Sequence, residues 1–500
     1  MLLKRLGMVS LAVLALLALP VAGFAQTTTS SIQGLVVDPQ GAAVAGAEIA
    51  IVHVATGMTS TTRTNSTGAY ELRGLRVGGP YVATLHRSTQ YGEERIEDIY
   101  ILLSEPYVLN LETRTTAIEE VVVHASEQDV FLRIGAASNF DSHNIAGQAN
   151  VDRDFKNVIT QDPRVIIDHA FNNAISIAGM NNRTNSLTVD GVRQNDDFGL
   201  NASGFPTQRA PVSIDAIEQI TVQIAPFDVT FGGFTGGTIN AVTKSGTNDW
   251  GGSFTVMHSD DGLLGDKSET DNVDVGDFDE DTLAATLSGP ILKNRLWFFA
   301  SYEEWTASDT SALAYGPAGS GRDNEIAQVT QADIDEVSRI ARDTYGFEPG
   351  VLPDSGQDVK SETFLLKLDW AISDKHTVSV TYQDVIGNEI NAIGSWSAGN
   401  RLGLPSNWFD RSEDFQSLSG QLFSSWTDAF STEIKIASQE RTTGQNSLHG
   451  SEMAQMDIGT AGGGTIRLGS DVFRHDNGVQ NDQFQWKIKG DYLWQNHTIT

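Results

Sequence analysis

Beyond residue 250, apolar and polar side chains alternate with a period of two. In "TFLLKLDW", Phe364, Leu366, Leu368 and Trp370 share one face, and Thr363, Lys367 and Asp369 the other. "TVSVTYQD" sets Val378, Val380 and Tyr382 against Thr377, Ser379 and Thr381, and "FQWKIKGDYLW" sets Phe484, Trp486, Ile488, Tyr492 and Trp494 against Gln485, Lys487, Lys489 and Asp491. Successive strand side chains point to opposite faces, so each run reads as a strand with one apolar and one polar face. Lipid outside and a wet lumen inside fit that pattern, although a soluble sandwich gives a similar one. Eight runs, at 250–258, 282–288, 296–305, 363–370, 377–384, 415–426, 433–441 and 483–494, precede the start of a ninth near His497. Their connections decide the matter: 259–281 and 306–362 are long, whereas "GPILKNR" and "AISDKH" are short. Long outer loops and tight inner turns mark a transmembrane β-barrel. All nine tryptophans lie from Trp250 onward, many at run ends, as interfacial aromatic girdles do.

The preceding half is patterned differently. Residues 31–112 carry short β-rich runs between glycine turns, which predicts a small antiparallel sandwich. Residues 117–128, "AIEEVVVHASEQ", hold three consecutive valines, Val121, Val122 and Val123, behind Glu119 and Glu120. A β-branched run of this kind can pair with any open sheet edge. Residues 130–245 are rich in Gly and Asn, with a short helix predicted in "VDRDFKNVITQDP" and strands in "ISIAG", "NSLTVDG" and "IEQITVQIAP". That segment ends in "FGGFTGGTINAVTKSGTN", where Gly232, Gly233, Gly236 and Gly237 allow close backbone approach or positive φ. It lacks the G-K-[ST] ending of a phosphate loop.

Composition narrows the compartment and the chemistry. Lys4 and Arg5 precede the apolar run "LAVLALLALP", and "GFAQ" offers cleavage after Ala25, so 1–25 reads as a signal peptide. The chain has no Cys, which removes disulfides and thiolate metal sites, and its formal charge of -31 argues against a nucleic-acid partner. G-x-S-x-G and H-E-x-x-H are absent, so no catalytic residue and no metal site is assigned and the chain does not read as an enzyme. The acidic segment 260–281 has carboxylates enough for calcium but lacks the D-x-[DN]-x-[DN]-G order; a solvated loop is the expectation and calcium the lesser alternative. "LTVDGVRQNDDFGL" clusters Asp190, Asp196 and Asp197 around Gly191. No base, nucleophile or metal partner accompanies them, so Asp190 reads as scaffold.

Two stretches carry a resemblance. Gly34, Asp38, Gly41, Gly46-Ala47, Thr67-Gly68-Ala69-Tyr70, Leu72 and Leu75 resemble the carboxypeptidase regulatory-like, transthyretin-like module. "ISIAGMNNRTNSLTVDGVRQND" followed by "AIEQITVQIAPFDVTFGGFTGGTINAVTKSGTN" resembles the plug domain of TonB-dependent outer-membrane receptors, and is similar to the Oar-like group. Ala225-Pro226 and Phe231-Gly232 stand where the usual plug has Gly-Pro and Tyr-Gly. The implied fold class is mainly β: a small N-terminal β-sandwich (27–112), an α+β plug domain (130–245), and the start of a transmembrane antiparallel β-barrel (250–500), incomplete in this chain. An eight-stranded barrel is filled by its own side chains, whereas about twenty-two strands enclose a plug, so a longer receptor is expected.

The resemblance implies an outer-membrane receptor and TonB-energised transporter with a periplasmic N-terminal domain and 117–128 as TonB box. Its partners are TonB with ExbB and ExbD, outer-membrane lipid and an extracellular ligand such as a siderophore, glycan, peptide or protein. In the plug, Asp190, Gly191 and the four glycines are structural, and Arg193, Asp196, Asp197 and Arg209 are candidate ligand contacts. The rival is a non-transporting carbohydrate-binding or adhesin-type outer-membrane protein; a secreted hydrolase fits the aromatic strands less well.

Overall fold

The computed structural model describes residues 26–86, 94–103, 105–113, 121–124, 136–168, 173–201, 203–224, 226, 231–263, 267–268, 271–272, 278–309, 314–354, 356–474 and 477–500. The signal-peptide expectation for 1–25 lies outside these residues.

Two small sheets form the N-terminal unit. One holds β1 (Thr29–Val37), β4 (Ala69–Arg76), β7 (Tyr107–Val108) and β8 (Leu111–Glu112); the other runs β3 (Met58–Arg63), β2 (Glu48–His53), β5 (Gly78–Leu85), β6 (Glu94–Ile101), β9 (Val121–His124). Ile32, Ile49, Ile51, Tyr70, Tyr81 and Ile99 fill the space between them. The sandwich is not wholly antiparallel as its turns suggested, because β7 and β8 run parallel to β1 and β9 runs parallel to β6. The returning chain needs that course to carry Tyr107, Leu109 and Leu111 back into the core. Turn polarity is local: the Asp38 carboxylate accepts from the Gln40 and Ala42 N–H groups, and the Asn65 side chain from those of Thr67 and Ala69.

The middle unit is a five-stranded sheet ordered β10 (Ala136–Asp141), β15 (Ile217–Ile224), β16 (Gly237–Thr243), β13 (Ser186–Val189), β14 (Val192–Arg193). Short helices Ser142–Gly147 and Phe155–Ile159 and the hairpin β11 (Val165–Asp168) to β12 (Ala174–Ile177) cover it. Asp154 caps the second helix by accepting from the Lys156 N–H. Phe155, Ile159, Ile177, Val189, Ile220 and Ile239 make its core, joined by Phe299 and Leu365 from the following unit.

That last unit is one open antiparallel sheet of nine strands: Gly251–Asp260, Asp279–Leu292, Leu296–Asp309, Gln357–Ser373, His376–Asn391, Phe409–Thr427, Phe430–Ser447, Asn477–Trp494 and His497–Ile499. All eight expected runs and the ninth are present. Several strands are much longer than the roughly 9–11 residues that cross a bilayer, so they continue beyond it. One face exposes Phe254, Leu287, Leu418, Ile436, Phe484 and Ile488, as a lipid-facing surface must. The opposite face is lined with polar side chains and holds the middle unit.

Two features go beyond what the alternation pattern conveys. Trp297 is not a girdle residue: it is fully buried on the polar face, where the Arg76 guanidinium lies 4.9 Å from its ring and its Nε1–H donates to Asn248 at 3.0 Å. The long loops are also not merely irregular. Helix Gln331–Tyr345, with a Thr330/Asp333 capping box and Gly346 in the left-handed conformation after it, packs near the small sheet of Arg401–Gly403, Thr465–Leu468 and Met456–Gly459. Ile326, Val329, Ile334, Leu402, Leu404 and Ile466 give this cap its own core.

His53 supplies a pH test of the N-terminal sandwich. Its ring is buried against Tyr81 and bonded to Thr56, and burial, aided by Arg76, pushes its pKa down to about 3. The folded value lies below the unfolded one, so stability is full above pH of about 6.5 and is lost as pH falls toward 3. Over that window we expect a loss on the order of 3 kcal/mol, and a flatter profile in His53→Phe. Hydrogen exchange of β2 and β5 across pH measures it; equal slopes in both proteins would contradict the assignment.

Candidate functional site at the plug and wall interface

Asp190 and Gly191 form the two-residue turn of the β13–β14 hairpin, between the paired Val189 and Val192. Their φ values are 46° and 70°, the double positive φ of a type I′ turn, which Asp-Gly adopts readily. This turn projects the Asp190 carboxylate into the interface. There it accepts from the Thr243 N–H at 2.9 Å and the Thr243 hydroxyl at 2.6 Å, both on β16. From the wall, Thr381 donates at 3.2 Å and Lys367 approaches at 3.4 Å, while Lys435 donates to the Asp190 carbonyl at 2.7 Å. One buried turn thus binds two plug strands to three wall strands.

Other polar clusters hold the rest of the plug. Arg153 bridges Asp215 of the plug (2.8 Å) and Glu303 of the wall (2.9 Å), and the Ser213 hydroxyl donates to Glu303 at 2.6 Å. Asp196 pairs with Arg441 at 2.8 Å, and Glu413 accepts from Arg411 at 2.8 Å and Asn201 at 3.1 Å. Gln194 donates to Gln383 at 2.7 Å. Where the sandwich, plug and wall meet, a cavity of about 190 Å³ is lined by His53, Arg76, Glu218, Lys367, Asp369 and Gln421, among others. Burial raises the Glu218 pKa, opposed by Lys244 and Lys367.

The structure places the four candidate ligand residues against the wall or their neighbours. Arg193 pairs with Asp197 at 2.7 Å, and its backbone exchanges two hydrogen bonds with the Gln485 amide. Asp197 also accepts from Gln483, and Asp196 belongs to the Arg441 pair. Arg209 stacks over Trp305 at 4.1 Å and donates to the Asp152 carbonyl. Sequence reasoning missed the wall partners Lys367, Thr381, Gln383, Glu413, Lys435 and Arg441. A signal was present: each is a polar residue at a wall-strand position, and Lys367 stands between Leu366 and Leu368.

The glycines divide into two kinds. Gly233 has φ +75° and is exposed, and Gly232 is half-buried. Gly236 and Gly237 do not have positive φ; they are close-approach positions. A Cβ on Gly236 would sit 2.5 Å from Asn185 Oδ1, and one on Gly237 2.6 Å from Ile177 Cγ2. The run Val121–His124 is a strand, but it pairs parallel to β6 of the sandwich, Glu94 opposite Val121 and Ile96 opposite Val123, and not with the plug. Glu119 and Glu120 lie outside the described residues, as do 264–266, 269–270 and 273–277 of the acidic segment and, with them, the core of the calcium expectation.

Three domain models match in chain order: the carboxypeptidase regulatory-like domain over 31–114, the TonB-dependent receptor plug domain over 134–238, and an outer membrane beta barrel domain over 242–338. The chain therefore carries, in this order, a regulatory-like domain, a TonB-dependent receptor plug domain and part of an outer-membrane β-barrel domain, which places it at the outer membrane. The chain is similar to a protein from Myxococcus xanthus, the TonB-dependent transporter Oar, 28% identical over 426 residues. That match covers 79% of this chain and 37% of the relative, so the chain spans little more than a third of that protein's length. Solved structures that it resembles loosely include the outer membrane transporter YddB from Escherichia coli (TM-score 0.49, 13% identity, 71% of this chain and 45% of that one) and the siderophore receptor PirA from Acinetobacter baumannii (TM-score 0.45, 15% identity, 71% and 45%).

Removing the Asp190 carboxylate leaves Lys367 buried without its ion-pair partner and the Thr243 N–H without an acceptor. Asp190→Ala should destabilise plug seating by about 3–5 kcal/mol, the usual cost of breaking a buried pair. Asp190→Asn, which keeps an acceptor and tolerates the turn, should cost less. Protease resistance of the plug in purified receptor checks the order; an Asn variant as damaged as the Ala variant would assign the role to charge alone.

Proposed function

We propose that the chain serves in an outer-membrane receptor and TonB-energised active transporter, which binds an extracellular substrate and passes it to the periplasm. The observation that carries this reading is the chemistry of the plug seat. The plug keeps most of its apolar core to itself, and meets the wall through ion pairs and amide and hydroxyl hydrogen bonds. Such contacts exchange for contacts with water when a plug shifts, which an apolar seat cannot do without a large transfer cost.

In this reading the inner-membrane complex of TonB with ExbB and ExbD supplies the work, and Val121–Val123 is the TonB box. A strand-adding partner needs an extended segment with a free edge, and β9 is the last strand of its sheet among the described residues. Arg193, Asp196, Asp197 and Arg209 then serve ligand passage through their wall contacts as much as direct recognition. The reading assigns no catalytic step and no cofactor.

The test uses the full-length receptor. Val122→Pro removes a strand donor and fixes φ away from the β value, leaving plug and wall sequences intact. Normal insertion and ligand binding with loss of energy-dependent uptake is expected. Full binding without energised uptake in the parent protein would instead favour a carbohydrate-binding or adhesin-type role, and full uptake by the variant would place coupling elsewhere.

A further inference from the structure

Gln26 lies deep in the same interface, 2% exposed. Its backbone N–H donates to the Gly191 carbonyl at 3.1 Å, Thr188 donates to its Oε1 at 3.1 Å, and Lys487 approaches its carbonyl oxygen at 3.5 Å. The next residues are also fixed: Asn240 donates to the Thr27 carbonyl at 2.7 Å, and the Thr28 hydroxyl to Gln421 at 2.7 Å. A Cβ on Gly191 would collide with the Gln26 carbonyl oxygen and with Lys435 Nζ, so the packing here is tight. The Gln26 Nε2 is enclosed and has no hydrogen-bond partner.

Gln26 also directly follows the cleavage point expected after Ala25. Cleavage there would turn a neutral nitrogen with one N–H into an ammonium with three. The site offers that nitrogen one acceptor, the Gly191 carbonyl. Lys435 and Lys487 close on this seat and repel a cation, while the Asp190 carboxylate is taken by Thr243, Thr381 and Lys367, and Glu433 by Lys487 at 2.8 Å and Gln421 at 3.1 Å. A buried unpaired ammonium is strongly unfavourable.

We propose that the mature chain begins at Gln26 and that this residue is cyclised to pyroglutamate, giving a neutral terminus that seats under the plug turn. The α-amino nitrogen attacks Cδ of its own side chain, the new C–N bond closes a five-membered lactam, the Cδ–Nε2 bond breaks, and Nε2 leaves as ammonia with a proton from the amine. No oxidant or further reactant enters. The lactam keeps one N–H for Gly191 and one carbonyl oxygen for Thr188, carries no charge, and eliminates the partnerless amide nitrogen. The inference rests on the cleavage site and not on the transport reading.

Peptide mass spectrometry of the full-length receptor, purified from outer membranes, tests it. The N-terminal peptide should start at Gln26 and be lighter by one ammonia in nearly all molecules. A synthetic peptide with a free Gln terminus, taken through the same digestion, measures cyclisation during handling, and equal conversion there would overturn the proposal. So would a free amine on Gln26 or a different first residue. Pyroglutamyl aminopeptidase should release the residue only after the protein is unfolded; release from the folded receptor would overturn the buried seat.

Discussion

A carboxylate that is buried must be satisfied, and the plug's position follows from how Asp190 meets that requirement. Its two oxygens are shared between Thr243 within the plug and Thr381 and Lys367 in the wall, and its carbonyl is taken by Lys435. The turn can make these contacts only in one orientation, because both its residues need positive φ and Gly191 has no room for a side chain. Moving the plug strand by one residue would reverse its faces and strand all of these partners together. Burial of the pair is weak evidence for stability in itself, since desolvation offsets much of the attraction; its contribution is to specify register between two units.

The wall was legible because period-two alternation is a local property, and both faces of each strand declare their environment. The strands run longer than the alternating windows because beyond the bilayer both faces meet water, and there charged residues such as Lys360 and Glu362, paired at 2.6 Å, take the positions on the face of Phe364, Leu366 and Leu368. Trp297 departs from the girdle pattern for a related reason. An aromatic at a strand end suits an interface, but here the neighbouring Asn248 and Arg76 supply a polar niche on the inner face, and neither is near it in sequence. The cap helix Gln331–Tyr345 has its signals in the sequence, Thr330 with Asp333 and Gly346 beyond, inside one of the long connections.

The site was legible in outline only. "VDG" identifies the turn and its scaffold role, yet its partners at 243, 367, 381 and 435 come from separate strands, and no spacing in a single sequence specifies that convergence. The same holds for Asp196 with Arg441 and Arg153 with Glu303. Asp196 and Asp197, two of the candidate ligand contacts, also have partners in the wall, because a plug within a wet lumen has two surfaces, and charge alone does not say which one a loop addresses. The glycines show a similar ambiguity: positive φ and close approach both require glycine, and only Gly233 of those near the end of the plug has the former.

The arrangement of the plug sheet bears on how it would yield to a pull entering at Val121–Val123. Among the described residues, the first plug strand reached from there is β10, an edge strand bonded on one side only, from Ala136 opposite Ile224 to Asp141 opposite Gln219. Behind it β15 and β16 are bonded on both sides, and β13, next to β16, ends in the Asp190 turn. An edge strand loses one row of hydrogen bonds when it detaches, whereas extracting β16 breaks two rows and the Asp190 contacts as well. Under the proposed transport reading, force would therefore remodel the β10 side first and leave the Asp190 side seated. In that reading, a path opened on the β10 side would run along part of the wall while the Asp190 contacts still hold the plug.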